Sequence, residues 1–173
     1  MDRDELRERQ GPLKQRYKDD PDAAVVTLRA HGTLGEGMTC SIDSGRALAV
    51  AGLHPATGGD GLSLCSGDML LEALAACAGV TLSAVATSME IAVTAGSVHV
   101  EGDLDFRGTL AVSKEAPVGF RAIRVRFDVE SDADDARLDT LLRLTERYCV
   151  VLQTLRHSPE ISMTGTPAGS GSE

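Results

Sequence analysis

The sequence has few positive charges: its 173 residues include 17 Lys and Arg against 26 Asp and Glu, which gives a formal net charge of −9. Proteins that bind nucleic acids usually present a basic surface to the phosphate backbone, so this balance argues against such a partner. The chain opens with MDRDELRERQ, in which no apolar segment follows a basic start. We therefore expect neither a signal peptide nor a membrane contact, and we expect a cytoplasmic protein.

The common signatures of metal and nucleotide sites are also lacking. The four cysteines show no C-x-x-C spacing, and the four histidines are scattered singly along the chain, so no metal site is expected. The glycine-rich segment 53–65 matches neither G-x-x-x-x-G-K-[ST] nor G-x-G-x-x-G, which favours an ordinary connecting loop and no bound cofactor. In a reducing compartment the cysteines are more often free, catalytic or packing residues than disulfides.

One long uncharged stretch dominates what is present. Between Ala73 and Met89 there is no charge, and apolar or small residues fall on every side of a 3.6-residue period. This pattern predicts a helix over Ser66–Met89 that protein covers on all sides, with Ser66 as its cap and Asp68 near the positive end of the helix dipole. A single chain of this size offers little cover for such a helix. We therefore expect a symmetric dimer that sandwiches two copies.

Two cysteines stand out because both fall on predicted core-facing stripes. Cys77 lies in the middle of the uncharged stretch, and free cysteine is often an inert buried residue. Cys149 lies in a second predicted helix over Asp135–Arg156. Its neighbours at helical spacing form an apolar stripe: Leu138, Leu142, Thr145 and Leu152. Two such thiols can meet in the core, so packing and redox chemistry both remain open.

The other elements follow from period-2 alternation and from turn residues. They are a helical arm at 1–22, three antiparallel strands within 23–52, two more strands at 97–106 and 120–129, a short strand at 160–164, and a flexible tail at 165–173. A change of parity in the strand at 120–129 predicts a bulge near Arg121-Ala122. The acidic run before Asp135 predicts a helix cap. The pattern is α+β with antiparallel sheets, and 23–164 form one domain.

Two segments carry a family resemblance. GDMLLEALAAC, which ends at Cys77, and ERYCVVLQTL, which contains Cys149, resemble the OsmC/Ohr-like family of osmotically induced and organic-hydroperoxide-resistance proteins. The resemblance implies an OsmC-like fold, with antiparallel sheets packed around a long buried central helix in an intertwined homodimer. It also implies a peroxidase in which Cys77 attacks an organic hydroperoxide, Cys149 resolves the sulfenic acid as a disulfide, and a dithiol reductant restores both thiols.

The chain departs from the well-studied peroxidase branches, which supply a glutamate and an arginine near the first cysteine. Gly67 stands at the position of the glutamate, and Asp68 follows it. We expect Asp68 to orient whatever cation activates the thiol. The remaining candidate cations, none placed by a motif, are Arg16, Arg29 and Arg46. Val150 replaces the proline that often follows the second cysteine.

Two functions are therefore open. The first is a thiol-dependent peroxidase that acts in oxidative-stress defence, with Cys77, Cys149 and Asp68 as its catalytic residues. The second is a non-catalytic OsmC-like dimer with a ligand-binding or stress-related role, in which both cysteines persist as core residues.

Overall fold

The computed structural model describes residues 2–5, 8, 11, 19, 31–34, 39–43, 48–111 and 113–165. Most of the predicted arm, residues 23–30 of the predicted domain and the tail beyond 165 lie outside this part of the chain. The three candidate cations, Arg16, Arg29 and Arg46, lie outside it as well. Where the structure is described, the predicted α+β class is confirmed.

The elements form two sheets and one group of helices. In chain order they are β1 (His31–Leu34), β2 (Thr39–Asp43), β3 (Leu48–Gly52), a 3-10 turn (Pro55–Thr57), β4 (Leu64–Cys65), α1 (Ser66–Ser88), β5 (Val93–Leu104), α2 (Phe106–Thr109), β6 (Phe120–Ser131), α3 (Asp135–Tyr148) and α4 (Val150–Arg156). Three antiparallel strands are confirmed as β1-β2-β3, and β4 adds to β3 in parallel. The first strand was expected to start at residue 23, and most of its expected range lies outside the described residues. β5 and β6 form the second, antiparallel sheet.

The β5-β6 pair presents an apolar face to the helices and a charged face to solvent. Val100 lies opposite Val125, and both are half-buried, while the alternate pair Glu101 and Arg124 is exposed. Asp103 pairs with Ala122 but Leu104 pairs with Phe120, so β6 carries one extra residue, Arg121. The bulge predicted from the change of parity is therefore confirmed.

The predicted central helix is confirmed as α1, but its cap differs from expectation. Its N-cap is Cys65, which makes no side-chain capping bond, and Ser66 is already helical. The buried residues recur every fourth position: Leu74, Ala78, Leu82 and Ala86. The other side of α1 is apolar and exposed, and Val80 there is 72% exposed. Among the described residues α1 packs on β5, α3 and α4 from one side, so the single chain leaves its other side uncovered, as expected; cover by a second copy stays a prediction.

Length and composition alone would also let α1 cross a membrane. Its stripe from Leu74 to Ala86 nevertheless lies in the protein core, where it contacts apolar side chains of β5, β6 and α3. At its far end, the Arg137 side chain of α3 donates a hydrogen bond to the Met89 carbonyl at 2.7 Å and so caps α1. α1 is therefore held as the core helix of this domain.

The second predicted helix is broken at Cys149. α3 ends at Tyr148, Cys149 has extended backbone angles (φ −70°, ψ 105°), and α4 starts at Val150, so the prediction of one continuous helix was wrong. The predicted acidic cap is confirmed, because the Asp134 carboxylate accepts a hydrogen bond from the Arg137 backbone N–H at 2.8 Å.

The strand predicted at 160–164 was also wrong. In the described chain these residues form no strand, and their apolar side chains Ile161 and Met163 are 79% and 96% exposed. A five-residue segment gains its ladder of hydrogen bonds only from an adjacent sheet edge, and alternation in the sequence does not supply that edge.

Candidate active site

Two thiols meet where the start of α4 reaches the middle of α1. Cys149 is fully buried, and it forms a core cluster with Leu74 and Ala78 of α1. Cys77 is partly exposed and packs against this cluster, and each of the two thiols affects the pKa of the other. Both cysteines are free thiols. The structure thus brings together the two cysteines that the sequence singled out.

The break in the helix places backbone donors beside these sulfurs. The Cys149 N–H still donates to the Thr145 carbonyl of α3 at 2.9 Å, and the Gln153 N–H donates to the Cys149 carbonyl at 2.9 Å as the first bond of α4. The N–H groups of the residues between them, Val150 to Leu152, therefore have no acceptor within the helices. They start a helix whose first turn lies next to the thiols.

The surroundings of Cys77 favour its thiolate. Burial by itself would raise the pKa of this thiol. Hydrogen bonding from the Val151 N–H, the Cys149 thiol, the Thr81 hydroxyl and the Val150 N–H opposes burial, and the pKa of Cys77 lies below its ordinary value as a result. The Thr81 hydroxyl lies next to the cysteine because it bonds the Cys77 carbonyl at 2.7 Å, so its single proton serves either that carbonyl or the sulfur.

The surroundings of Cys149 favour its protonated form. Burial raises the pKa of this thiol, and the neighbouring Cys77 raises it further. The Leu152 and Val151 backbone N–H groups act in the opposite direction, but the net shift is upward. The pair is therefore asymmetric: Cys77 carries the negative charge more readily, and Cys149 keeps a proton that it donates to Cys77.

Cys77 lies at the border between the buried and the exposed side of α1. At about 100° per residue, Cys77 stands within roughly 60° of Ala73 and of Val80, both of which are exposed. It stands about 100° from the buried Ala78 on the other side. One edge of the site therefore adjoins the exposed apolar stripe of α1, which comprises Leu70, Ala73, Ala76 and Val80.

The third predicted site residue, Asp68, is not brought to the thiols within one chain. It is exposed in the first turn of α1. Nine residues separate it from Cys77, which corresponds to roughly 13 Å along the helix and about half a turn around it. In the described part of the chain no ion pair of Asp68 is formed. Its predicted role in orienting a cation stays a prediction, since the candidate cations lie outside the described residues.

The two other cysteines lie apart from the pair. Cys65 is the partly exposed N-cap of α1, about three turns before Cys77. Cys40 falls in β2, which belongs to the other sheet.

A cavity of about 530 Å³ borders Cys149 from the side of β6. Most of its lining is apolar and comes from β6, α3 and α4: Phe120, Ile123, Val125, Phe127, Leu142, Leu152 and Leu155. The exposed charged side chains of Arg121, Glu146 and Arg156 also line it, and the last two form an ion pair. The cavity thus offers apolar surface and charged groups next to the thiol pair.

Sequence reasoning missed the contributions that come from the backbone. The donors at Val150 and Val151 are backbone N–H groups, and the identity of the side chains does not indicate where such donors point. The break at Cys149 has neither glycine nor proline beside it. Thr81 could have been found, because it follows Cys77 by one helical turn and therefore shares its face.

Comparisons with known proteins agree with this architecture. An OsmC-like protein from Mycoplasma pneumoniae superposes with a TM-score of 0.65 at 16% identity, covering 77% of this chain and 89% of that one. An organic hydroperoxide resistance protein OsmC from Legionella pneumophila gives 0.61 at 16% identity, covering 78% and 92%. An OsmC-like protein of unknown function from Vibrio cholerae gives 0.61 at 13% identity, covering 75% and 94%. No curated protein matches the chain significantly.

These identities are too low to transfer an activity, but they establish the fold. The sequence model described as OsmC-like protein matches residues 58–164, more than half of the chain and the part that holds both thiols. The fold and this match together show that the chain belongs to the OsmC-like protein family.

Proposed function

We propose that this protein is a thiol-dependent peroxidase that reduces organic hydroperoxides through a Cys77/Cys149 dithiol-disulfide cycle. The observation that carries the proposal is the asymmetric pair: a partly exposed thiol with a lowered pKa in contact with a buried thiol with a raised pKa. A thiolate is the nucleophilic form of cysteine, and a second thiol at contact distance is what a sulfenic acid needs for resolution. Relatives that are named organic hydroperoxide resistance proteins support the same class of substrate.

In the first step the Cys77 thiolate attacks one oxygen of the hydroperoxide. A sulfur–oxygen bond forms, the oxygen–oxygen bond breaks, and the alkoxide leaves as the alcohol after it takes up a proton. Cys77 is then a sulfenic acid. The N–H groups of Val150 and Val151 stabilise the attacking thiolate.

In the second step the Cys149 sulfur attacks the Cys77 sulfenic acid. A disulfide forms, and the hydroxyl group leaves as water with the Cys149 proton. A dithiol reductant then exchanges with the disulfide, becomes oxidised itself and returns both cysteines to thiols. Per cycle, one hydroperoxide and one dithiol give one alcohol, one water and one disulfide of the reductant.

The proposal also covers the oligomeric state, the role of Asp68, the location of the protein and its domain bounds. We propose an intertwined homodimer, because a second copy would cover the exposed apolar stripe of α1 beside Cys77. We further propose that Asp68 orients the activating cation, and that the protein works in the cytoplasm in defence against oxidative stress. Residues 23–164 would form the domain, preceded by the helical arm at 1–22 and followed by the tail at 165–173.

A second candidate function is binding without catalysis. The cavity beside Cys149, with its apolar lining and its charged groups, favours a ligand-binding role in which both cysteines are packing residues. The complete burial of Cys149 suits such a role as well.

Hydroperoxide consumption distinguishes the peroxidase from the non-catalytic binding protein. With excess dithiothreitol and cumene hydroperoxide, the native protein should consume the peroxide catalytically and Cys77→Ser should not. Without dithiothreitol, which would itself reduce a Cys77 sulfenic acid, Cys149→Ser should consume about two equivalents and then stop, one for each of the two oxygens that Cys77 gains as sulfinic acid. Equal, background rates for the native protein and Cys77→Ser would reject the peroxidase and leave the binding role.

A further inference from the structure

The cavity beside the thiol pair reaches one of the two cysteines and not the other. Among the described residues its lining includes Cys149 but not Cys77. The lining residues on α1 are Leu74 and Ala78, and Cys149 packs on the same two residues. At about 100° per residue, Cys77 stands roughly 60° from Leu74 and 100° from Ala78 in the same direction around the helix. Cys149 therefore lies between Cys77 and the cavity.

The two cysteines also differ in what lies on their other sides. Cys77 adjoins the exposed apolar stripe of α1, which a second copy covers in the proposed dimer. The cavity beside Cys149 has a volume of about 530 Å³, and three of its lining residues, Arg121, Glu146 and Arg156, are exposed to solvent. This volume lies within the range of about 300–1,000 Å³ that small-molecule sites occupy.

We propose that, in the oxidised protein, a small dithiol reductant enters this cavity and attacks the Cys77–Cys149 disulfide at the sulfur of Cys149. The inference rests on the proposed peroxidase cycle, and it adds the route of the reductant and its point of attack. The reductant thiolate forms a bond to the Cys149 sulfur, the bond between Cys149 and Cys77 breaks, and Cys77 leaves as the thiolate. The second thiol of the reductant then displaces Cys149, which takes up a proton, and the reductant leaves as its disulfide.

The direction of attack favours Cys149. In thiol–disulfide exchange the entering thiolate approaches one sulfur from the side opposite to the other sulfur. For Cys149 that side is the cavity, whereas for Cys77 it is the side of the exposed stripe. The leaving group favours the same sulfur, because attack at Cys149 releases Cys77, whose pKa is the lower one, and a thiol of lower pKa leaves faster. Attack at Cys77 would have to release Cys149, whose pKa is raised by burial.

The burial of Cys149 determines which kind of reductant can reach it. The residue is 0% exposed, so the inner wall of the cavity has to part before a thiol touches its sulfur. This wall includes the side chains of Ile123 and Leu152, which are only half-buried, and rotamer changes are among the fastest motions of a protein. A slender dithiol fits such an opening, whereas a cysteine pair on the surface of a folded protein does not.

The point of attack can be read from the first mixed disulfide. A Cys40→Ser, Cys65→Ser protein is oxidised with diamide, which joins the two remaining thiols without any peroxide, and is then treated with 2-mercaptoethanol. Samples are quenched in acid, digested with pepsin and mapped by mass spectrometry. Extrapolated to zero time, the 2-mercaptoethanol should be attached to Cys149, and the free thiol should be Cys77.

Two results would overturn the proposal: an adduct that starts on Cys77, or a failure of diamide to join the pair. Because diamide replaces the hydroperoxide, the result stands whether or not the protein turns out to be a peroxidase. The mapping uses neither a variant of the cavity nor one of the two thiols, so it does not depend on a disturbed site.

The route can be tested with Leu155→Trp, which places a larger side chain in the lining of the cavity at a residue that is 38% exposed. Thr154→Trp is the matched control, because Thr154 is the exposed neighbour on α4 and does not line this cavity. Exchange rates depend on access, so Leu155→Trp should slow reduction of the diamide-formed disulfide by dithiothreitol about tenfold more than it slows alkylation of Cys77 in the reduced protein. Thr154→Trp should change neither rate. Equal reduction rates in the two variants would contradict the route through the cavity.

Discussion

The exposed apolar stripe of α1 gives a sharp test of the proposed dimer through the substitution Val80→Asp. Val80 is 72% exposed in the single chain, although it lies on the most apolar helix of the protein. If the chain is a monomer, a charge here is an ordinary surface change worth within about 0.5 kcal/mol. If a second copy covers the stripe, the same change places an unpaired carboxylate in an interface.

The size of the effect in a dimer follows from the exposed area. Burying most of a valine side chain contributes about 1–2 kcal/mol to the free energy of association. Both copies of Val80 lie in a symmetric interface, so the loss is about 2–4 kcal/mol per dimer. Because 1.4 kcal/mol is a factor of ten, the dimer dissociation constant should rise roughly 30- to 1,000-fold. Burial of the two carboxylates would add several kcal/mol more.

Light scattering after size-exclusion chromatography, over a range of protein concentrations, measures the dissociation of the dimer directly. Val118→Asp is the matched control: Val118 is 66% exposed in the connection between α2 and β6, away from the stripe. The native protein and Val118→Asp should run as dimers, whereas Val80→Asp should dissociate, with loss of the helical circular dichroism if the dimer is obligate. A folded Val80→Asp dimer with unchanged affinity would refute the assignment of this stripe to the interface.

Three further substitutions test other parts of the account. Leu141→Ala removes a fully buried side chain between α3 and α1 and should cost about 2–5 kcal/mol in urea unfolding; a loss below 1 kcal/mol would mean that the two helices do not pack as described. Asp68→Asn should slow hydroperoxide consumption without preventing disulfide formation by a chemical oxidant, and an unchanged rate would remove Asp68 from the site. Cys65→Ser should leave turnover intact, because Cys65 precedes the first turn of α1, far from Cys77; loss of turnover in a folded variant would contradict the resolving role of Cys149.

Elements whose signal is local could be predicted from the sequence. The uncharged run around Cys77 predicted α1 to within a residue, and the change of parity predicted the bulge at Arg121. A cap from the acidic run before Asp135 was predicted for the same reason, since a cap depends on residues three or four positions apart, and Asp134 supplies it.

Features that depend on distant contacts could not be predicted in this way. The strand at 160–164 needed a sheet edge that a pattern does not supply. Composition predicted that a single chain leaves part of α1 uncovered, but it does not show what covers that part. The meeting of Cys77 with Cys149 was open on periodicity alone and was expected only through the family resemblance. The break at Cys149 had no glycine or proline to announce it.

The most direct test of the central claim is the identity of the disulfide that forms when the reduced protein receives one equivalent of cumene hydroperoxide. The free thiols are blocked at once, and the peptides are mapped by mass spectrometry. The asymmetric pair predicts that Cys77 and Cys149 are joined, that Cys40 and Cys65 are still free, and that the peroxide has been consumed. All four thiols free with the peroxide intact, or a disulfide that excludes Cys77, would contradict the account.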